Sequence, residues 1–282
     1  MPPDAWGRLG LIGHPVGHSR SPAMQQAALD ALGIEAAYEL WDTPPDQLTE
    51  RVASLRLPGM LGANVTIPHK LAVISLLDEV VPEAHATGAV NTIVRQETAG
   101  GVRLVGHNTD VEGLARALDE LGAPGGTPRM LVLGAGGAAR AALAVARRRN
   151  APVRVAARNV ANARATLPDI EALDLGARVE LEATLRATDL LINATPSGMA
   201  TTDETPLAPE LLAALPDGAF VFDMVYAPPE TALVQAAHAR GLRASGGLAM
   251  LLYQGAAALT LWTGREAPIA VMRAVLAIEH TR

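Results

Sequence analysis

Cysteine is absent from this 282-residue chain. Its absence excludes a disulfide framework, a thiolate zinc site, an iron–sulfur cluster and a cysteine nucleophile. Aromatic residues make up 3% of the sequence. Nowhere do about 18 uncharged apolar residues run together, so no membrane span is expected. No basic segment leads into a long apolar run at the start, so no targeting segment is read and the cytoplasm is the expected compartment. Positive charge is also short: the net charge of −6 argues against a nucleic-acid surface but leaves room for a local anion pocket. What is present is apolar, at 49% hydrophobic against 18% charged residues. Such a chain can bury a sizeable core, and its length allows one large domain or two ordinary ones.

Lysine is the scarcest basic residue. Of the 23 lysines and arginines, only Lys70 is a lysine, in a chain that also carries 54 alanines. Drift in composition accounts for the abundant arginine and alanine, and the count alone favours chance for the single lysine. Chemistry gives the other reading. Arginine stays protonated in a protein, whereas lysine can exchange a proton. Its location has to decide.

The pattern of apolar runs predicts strands at 8–13, 38–42, 62–67, 89–95 and 103–106, with helices at 21–32, 45–55, 70–77 and 111–121. After the turn-rich segment 123–128 the pattern restarts. Strands are predicted at 129–133, 153–157, 178–182, 189–194 and 219–225, with helices at 138–149, 161–167 and 231–240. Two helices, 249–261 and 268–280, close the chain. Strands alternating with helices indicate an α/β class.

The restart opens with Met130-Leu-Val-Leu-Gly134-Ala135-Gly136-Gly137-Ala138-Ala139, an apolar strand entering a glycine turn and then a helix. Gly134 permits the turn, Gly136 lets backbone approach a pyrophosphate, and the small Ala139 allows close helix–strand packing. In that setting a dinucleotide outweighs a merely structural turn. An NAD site places a carboxylate after the second strand. Here Ala157-Arg158-Asn159 has none. Arg158 can meet a 2′-phosphate and Asn159 can donate an amide, so the expected cofactor is NADP(H); the bland reading of Arg158 is a solvated strand-end arginine.

Three polar segments follow predicted strands. In His18-Ser19-Arg20-Ser21-Pro22, Ser21 reads as an N-cap before a helix-opening proline, an explanation Ser19 does not share. In Asn64-Val-Thr66-Ile-Pro-His-Lys70, Asn64 and Thr66 share a strand face. Lys70 falls at a predicted helix start, where the macrodipole disfavours a cation. In Asn108-Thr-Asp110, Asp110 is either a cap or a functional carboxylate. Together these supply hydroxyls, amides, one lysine and one carboxylate at the carboxyl ends of strands, where open α/β sheets bind ligands. The set suits a small polyhydroxylated anion, and a lysine–carboxylate pair can move a proton while a carbonyl becomes an alcohol.

With Gly88-Ala-Val-Asn91-Thr92, Asn193-Ala-Thr195, Asp223-Met-Val-Tyr226 and Gln254 added, the chain resembles the shikimate dehydrogenase family over nearly its whole length. The resemblance implies reversible NADPH-dependent reduction of 3-dehydroshikimate to shikimate, in aromatic amino-acid biosynthesis. It implies a discontinuous α/β substrate domain (1–110 with 246–282) hinged to a Rossmann-type NADP-binding domain (111–245). It assigns Lys70 and Asp110 as the catalytic pair, and Ser19 and Ser21 to the substrate carboxylate with Tyr226 nearby. It assigns Asn64, Thr66, Asn91, Asp110 and Gln254 to the ring hydroxyls. Gly134, Ala135, Gly136, Gly137, Ala138, Arg158, Asn159, Thr195, Val225 and Gly247 fall to the cofactor, with Thr195 and Val225 on its nicotinamide side. One departure stands out. NADP-binding members often show Asn-Arg-Thr where this chain has Ala157-Arg158-Asn159, and Asn162 takes the place of a second arginine for which Arg164 is the nearest substitute. The alternatives are a quinate/shikimate dehydrogenase of looser cofactor choice, a folate-linked dehydrogenase, and a non-catalytic dinucleotide sensor. Expected partners are a small-molecule substrate, no nucleic acid and no membrane, with a homodimer left open; no metal site is expected.

Overall fold

The computed structural model describes residues 7–199 and 203–277. It divides into two compact units, one taking the described residues through Gly113 and those from Leu251 onward, the other Leu114–Met250. The chain leaves the first unit inside one helix and returns inside another, so the turn-rich segment 123–128 lies within the second unit rather than at the division.

The first unit begins with β1 (Gly7–Gly13), α1 (Ser21–Ala31), β2 (Ala36–Asp42), α2 (Leu48–Ser54) and β3 (Gly62–Val65). A 3₁₀ turn at Ala72–Leu76 leads to β4 (Glu79–Val80), α3 (Pro82–Thr87), β5 (Thr92–Thr98), β6 (Gly101–His107) and the start of α4 (Asp110–Glu120). The sheet order is β2-β1-β3-β5-β6-β4. β1 pairs in parallel with β2 and β3, while β3–β5 and β5–β6 are antiparallel. The register sets Asn64 beside Thr92, which puts two polar side chains at the centre of a sheet otherwise packed on Ile12, Trp41, Val65, Ile93 and Leu104.

The second unit holds β7 (Met130–Leu133), α5 (Gly137–Arg148), β8 (Val153–Ala157), α6 (Val160–Thr166), β9 (Glu171–Asp174), α7 (Arg178–Arg186) and β10 (Leu190–Asn193). β11 (Phe220–Asp223), α8 (Ala232–Ala239) and β12 (Arg243–Ser245) complete it. Its sheet is parallel throughout, in the order β12-β11-β10-β7-β8-β9. Counted from its own first strand this is the doubly wound dinucleotide-binding order. Every residue of β7, β10 and β11 is buried, as expected of strands covered on both faces. α5 presents Ala139, Ala142 and Ala146 among its buried residues, small enough for close approach to the sheet. α9 (Leu248–Thr263) and α10 (Ile269–Leu276) follow, and Gln25 of α1 donates to the Gly255 carbonyl of α9 at 2.9 Å.

The α/β class and most predicted elements are present. Residues 178–182, predicted as a strand, form the first turn of α7. Arg-Val-Glu-Leu-Glu alternates like a strand, yet Val179 is 84% exposed while Leu181 and Leu185, one helical turn apart, are buried. The strand of that region is β9, just before it. Residues 70–77 hold only the 3₁₀ turn at 72–76, so Lys70 sits in a turn and the dipole argument does not apply to it. The end of the predicted helix 268–280 lies outside the described residues. Among the described residues no helix is long and apolar enough to cross a membrane.

Candidate active site

In the first unit a buried polar cluster gathers at the ends of β3, β5 and β6. Lys70 Nζ donates to Asp110 Oδ2 at 2.5 Å, with the two side chains 13% and 5% exposed. The second carboxylate oxygen, Oδ1, accepts from Asn91 Nδ2 at 2.9 Å. Asn91 is fixed in turn: its Oδ1 accepts from the Thr109 N–H at 2.7 Å, and its amide nitrogen also donates to Thr109 Oγ1 at 2.9 Å and lies 3.5 Å from Gln254 Oε1. Gln254 is further held by donating to the Leu251 carbonyl. Asn64 donates to the Asn91 carbonyl and to Thr92 Oγ1, and accepts from the Tyr38 hydroxyl at 2.8 Å.

Asp110 is not the cap of α4. Asn108 Oδ1 accepts the N–H groups of Asp110 and Val111 at 3.1 and 3.4 Å. A capping Asn meets the orphan donors, which frees the Asp110 carboxylate for Lys70. The serines exchange the parts expected of them. Ser21 is the first residue of α1 and makes no capping bond, whereas Ser19 Oγ accepts the Ser21 N–H at 3.2 Å. Thr66 lies just past β3, half-buried, its N–H on the Ile12 carbonyl and its hydroxyl without a partner among the described residues. Lys70, Asn64, Asn91, Asp110 and Gln254 thus form one bonded group. Among the described residues, no hydrogen bond joins Ser19, Ser21 or Thr66 to it.

In the second unit the glycine turn links β7 to α5. Gly134 has φ +102°, and a Cβ there would lie 2.9 Å from Thr195 Cγ2. Such a left-handed backbone favours glycine. Gly136 precedes α5 in extended conformation, with no side chain capping the helix and nothing within 4 Å of where its Cβ would stand. Open space before an uncapped helix end fits a pyrophosphate. Arg158 is exposed just past β8 and has no hydrogen bond or ion pair among the described residues. Asn159 caps α6 through its oxygen, from the Asn162 N–H at 2.9 Å, so its amide nitrogen remains to donate. Arg164 reaches the Ala172 carbonyl instead. An unpaired guanidinium with no carboxylate after β8 is the donor chemistry a 2′-phosphate needs, so these residues fit NADP(H).

A buried carboxylate that carried no assigned role organises the loops beyond β10 and β11. Asp223 accepts from Asn193 Nδ2 at 2.8 Å, the Val225 N–H at 3.0 Å and the Thr231 hydroxyl at 2.7 Å. Burial pushes its carboxyl up, against the pull of those three donors. Asn193 Oδ1 accepts from Thr195 N–H and Oγ1, so Thr195 and Val225 hang on one Asn–Asp pair. Gly247 donates its N–H to the Val225 carbonyl, and a Cβ on it would lie 2.3 Å from the Met224 carbonyl oxygen. Tyr226 is half-buried in the same loop. Among the described residues no group of three or more His, Asp or Glu is placed to hold a metal ion.

Comparison with known proteins agrees with both halves. The family model of the shikimate dehydrogenase substrate binding domain matches residues 11–93, and that of the shikimate 5′-dehydrogenase C-terminal domain matches 247–277. A shikimate dehydrogenase (NADP(+)) of Symbiobacterium thermophilum is 44% identical over 277 residues, covering 94% of this chain and 92% of that one. The shikimate 5-dehydrogenase of Thermus thermophilus, solved with NADP(H) and shikimate, superposes with TM-score 0.85 at 39% identity, over 96% of this chain and 98% of that one. A quinate dehydrogenase of Corynebacterium glutamicum, solved with NAD, superposes with TM-score 0.83 at 31% identity, over 96% and 99%. By near-full-length identity and by fold, this chain belongs to the shikimate dehydrogenase family.

Proposed function

We propose that this protein catalyses the reversible NADPH-dependent reduction of 3-dehydroshikimate to shikimate, a step of aromatic amino-acid biosynthesis, in the cytoplasm. The observation that carries it is the buried Lys70–Asp110 pair at 2.5 Å, oriented by Asn91. The substrate binds in the first unit, which takes the described residues through Gly113 and from Leu251 onward, and the cofactor in the second, Leu114–Met250. When bound, NADPH supplies the hydride. Lys70 delivers a proton to the oxygen that gains charge as the carbonyl is reduced, and takes one up in the reverse direction. Asp110 accepts from Lys70 and so fixes the ammonium in place for proton transfer. Ser19 and Ser21 hold the substrate carboxylate with Tyr226, and Asn64, Thr66, Asn91 and Gln254 take its hydroxyls. Gly134 through Ala138 cradle the pyrophosphate, Arg158 and Asn159 hold the 2′-phosphate, Thr195 and Val225 flank the nicotinamide, and Gly247 also meets the cofactor. A homodimer is compatible with this reading and is tested by light scattering.

Purified protein with shikimate and NADP⁺, followed at the nicotinamide absorbance band, tests the reading. Turnover is expected, and tight NADPH binding without turnover would instead mark a sensor. The quinate reading is favoured by one neighbour, the quinate dehydrogenase bound to NAD, and opposed by the absence of an acid after β8. Running shikimate and quinate against NADP⁺ and NAD⁺ separates the two. Arg158→Ala should raise KM for NADPH roughly tenfold, the loss of a charge-assisted contact, and leave KM for NADH unmoved; an unchanged KM for NADPH removes Arg158 from the cofactor site.

A further inference from the structure

We infer that Tyr38 and Thr92 are positioning residues that act on the Lys70–Asp110 pair through a one-way chain of buried hydrogen bonds, a role that rests on the oxidoreductase reading above. Tyr38, Asn64, Thr92 and Asn91 are 6%, 4%, 0% and 2% exposed. The direction of the chain is fixed at two points by the backbone, whose groups have no choice of role. The Asn91 carbonyl accepts from Asn64 Nδ2 at 3.2 Å, so the amide oxygen of Asn64 faces Tyr38 and the Tyr38 hydroxyl has to donate, at 2.8 Å. The Thr109 N–H donates to Asn91 Oδ1, so the amide nitrogen of Asn91 has to face Asp110.

Thr92 joins the two amides. Its hydroxyl accepts from Asn64 Nδ2 and donates to Asn91 Oδ1, each at 3.1 Å, with Thr109 Oγ1 3.2 Å away. Every donor from Tyr38 onward therefore points toward the Asp110 carboxylate. Reversing any member would set donor against donor or acceptor against acceptor in a dry interior, which is costly. The chain occupies Asp110 Oδ1 and leaves Oδ2 to Lys70. Removing a link loosens Asn91, lets the carboxylate turn, and costs proton delivery without touching the residues assigned to the cofactor.

The test measures kcat and KM for shikimate and NADP⁺ on full-length wild type, Thr92→Val, Thr92→Ser, Tyr38→Phe and the Thr92→Val/Tyr38→Phe double variant, with a thermal midpoint for each. Thr92→Val keeps the shape and loses the hydroxyl; it should lower kcat about tenfold, and Tyr38→Phe roughly threefold, the range of one lost internal hydrogen bond. KM for NADP⁺ should not move, and Thr92→Ser should restore most of kcat. Tyr38→Phe should add little in the Thr92→Val background, because the side-chain route to Asp110 is already cut and only the Asn64 bond to the Asn91 backbone carbonyl remains. Multiplying effects, a Thr92→Ser as slow as Thr92→Val, a wild-type kcat in either single variant, or losses that follow the folded fraction alone would each overturn the role. Wild-type turnover is read first: its absence overturns the oxidoreductase reading and this role with it, whereas normal wild-type turnover with any of those results overturns the role alone.

Discussion

Each unit buries an Asn–Asp pair at the ends of its strands, and the two aspartates accept from different donors. Asp110 takes one neutral donor, Asn91, and one cation, Lys70, and its partner reaches partly exposed ground. Asp223 takes three neutral donors and no cation, fully buried. A lysine beside a carboxylate keeps a mobile proton at hand. Three fixed donors around a carboxylate lock backbone in place. The difference teaches that burying an aspartate says little by itself; the charge and mobility of what donates to it divide chemistry from architecture.

The sharpest way to break this contrast is at Lys70. Lys70→Ala should lower kcat by roughly 10²–10⁴, the range for a positioned proton donor, with a much smaller change in KM. Lys70→Arg keeps the charge and should still lose most turnover. Steady-state kinetics decide, and an active Lys70→Arg would mean that proton transfer was the wrong reason for this lysine.

Next come the two aspartates. Asp223→Ala leaves Asn193, Val225 and Thr231 without their acceptor, and should cost about 2–4 kcal/mol of stability in urea. Asp110→Asn should cost turnover and little stability. Equal stability losses would erase the distinction.

A smaller contrast lies in two glycines of the second unit. Gly247→Ala drives a Cβ into the Met224 backbone and should destabilise by about 1–3 kcal/mol. Gly136→Ala meets open space, so its thermal midpoint should stay put while KM for NADPH rises. A midpoint loss in Gly136→Ala as large as in Gly247→Ala would count against the pyrophosphate assignment.

The smallest effect is a slope. Burial holds the Asp223 carboxyl above its ordinary range, with the Thr231, Val225 and Asn193 donors pulling the other way. A carboxyl that keeps its proton longer folded than unfolded makes the native state bind more protons in the window between the two values, so stability falls as pH rises through it. Relative to Asp223→Asn, the wild type's urea midpoint should decline as pH climbs from about 4, the unfolded aspartate value. Parallel curves would show that the three donors cancel the effect of burial.

Much of this arrangement was legible in the residues. Gly134 announces the turn before α5 because its left-handed backbone disfavours other residues, and Ala139 because only a small side chain packs closely on the sheet there. Lys70 stood out through its scarcity and Asp110 through its place after a strand. What escaped depends on contacts that no local pattern carries. β4, β9 and β12 are two to four residues long, too short to set a period, and only sheet neighbours define them. The strand-like alternation at 178–182 hid a helix whose buried face is Leu181 and Leu185. Ser19 and Asn108, rather than Ser21 and Asp110, accept the first N–H groups of their helices, because a cap depends on which residue first turns helical, a choice made one residue at a time. Tyr38 carries no signal in the sequence beyond opening a predicted strand. Only the register of β3 against β5, and the reach of its hydroxyl to Asn64, give it a part in the site.

The first unit is assembled from both ends of the sequence, since α1 is tied to α9 through Gln25 and Gly255 and the Arg265 guanidinium reaches the Leu32 carbonyl. The second unit is one continuous stretch, Leu114–Met250. During synthesis the second can close its own sheet as soon as β12 has emerged, while the first has to wait with α1 uncovered until α9 follows. All six strands of the first sheet precede β7, yet the first unit stays incomplete until α9 emerges, so the second unit is finished first and the longer exposure of an apolar helix face falls on the unit that carries the lone lysine.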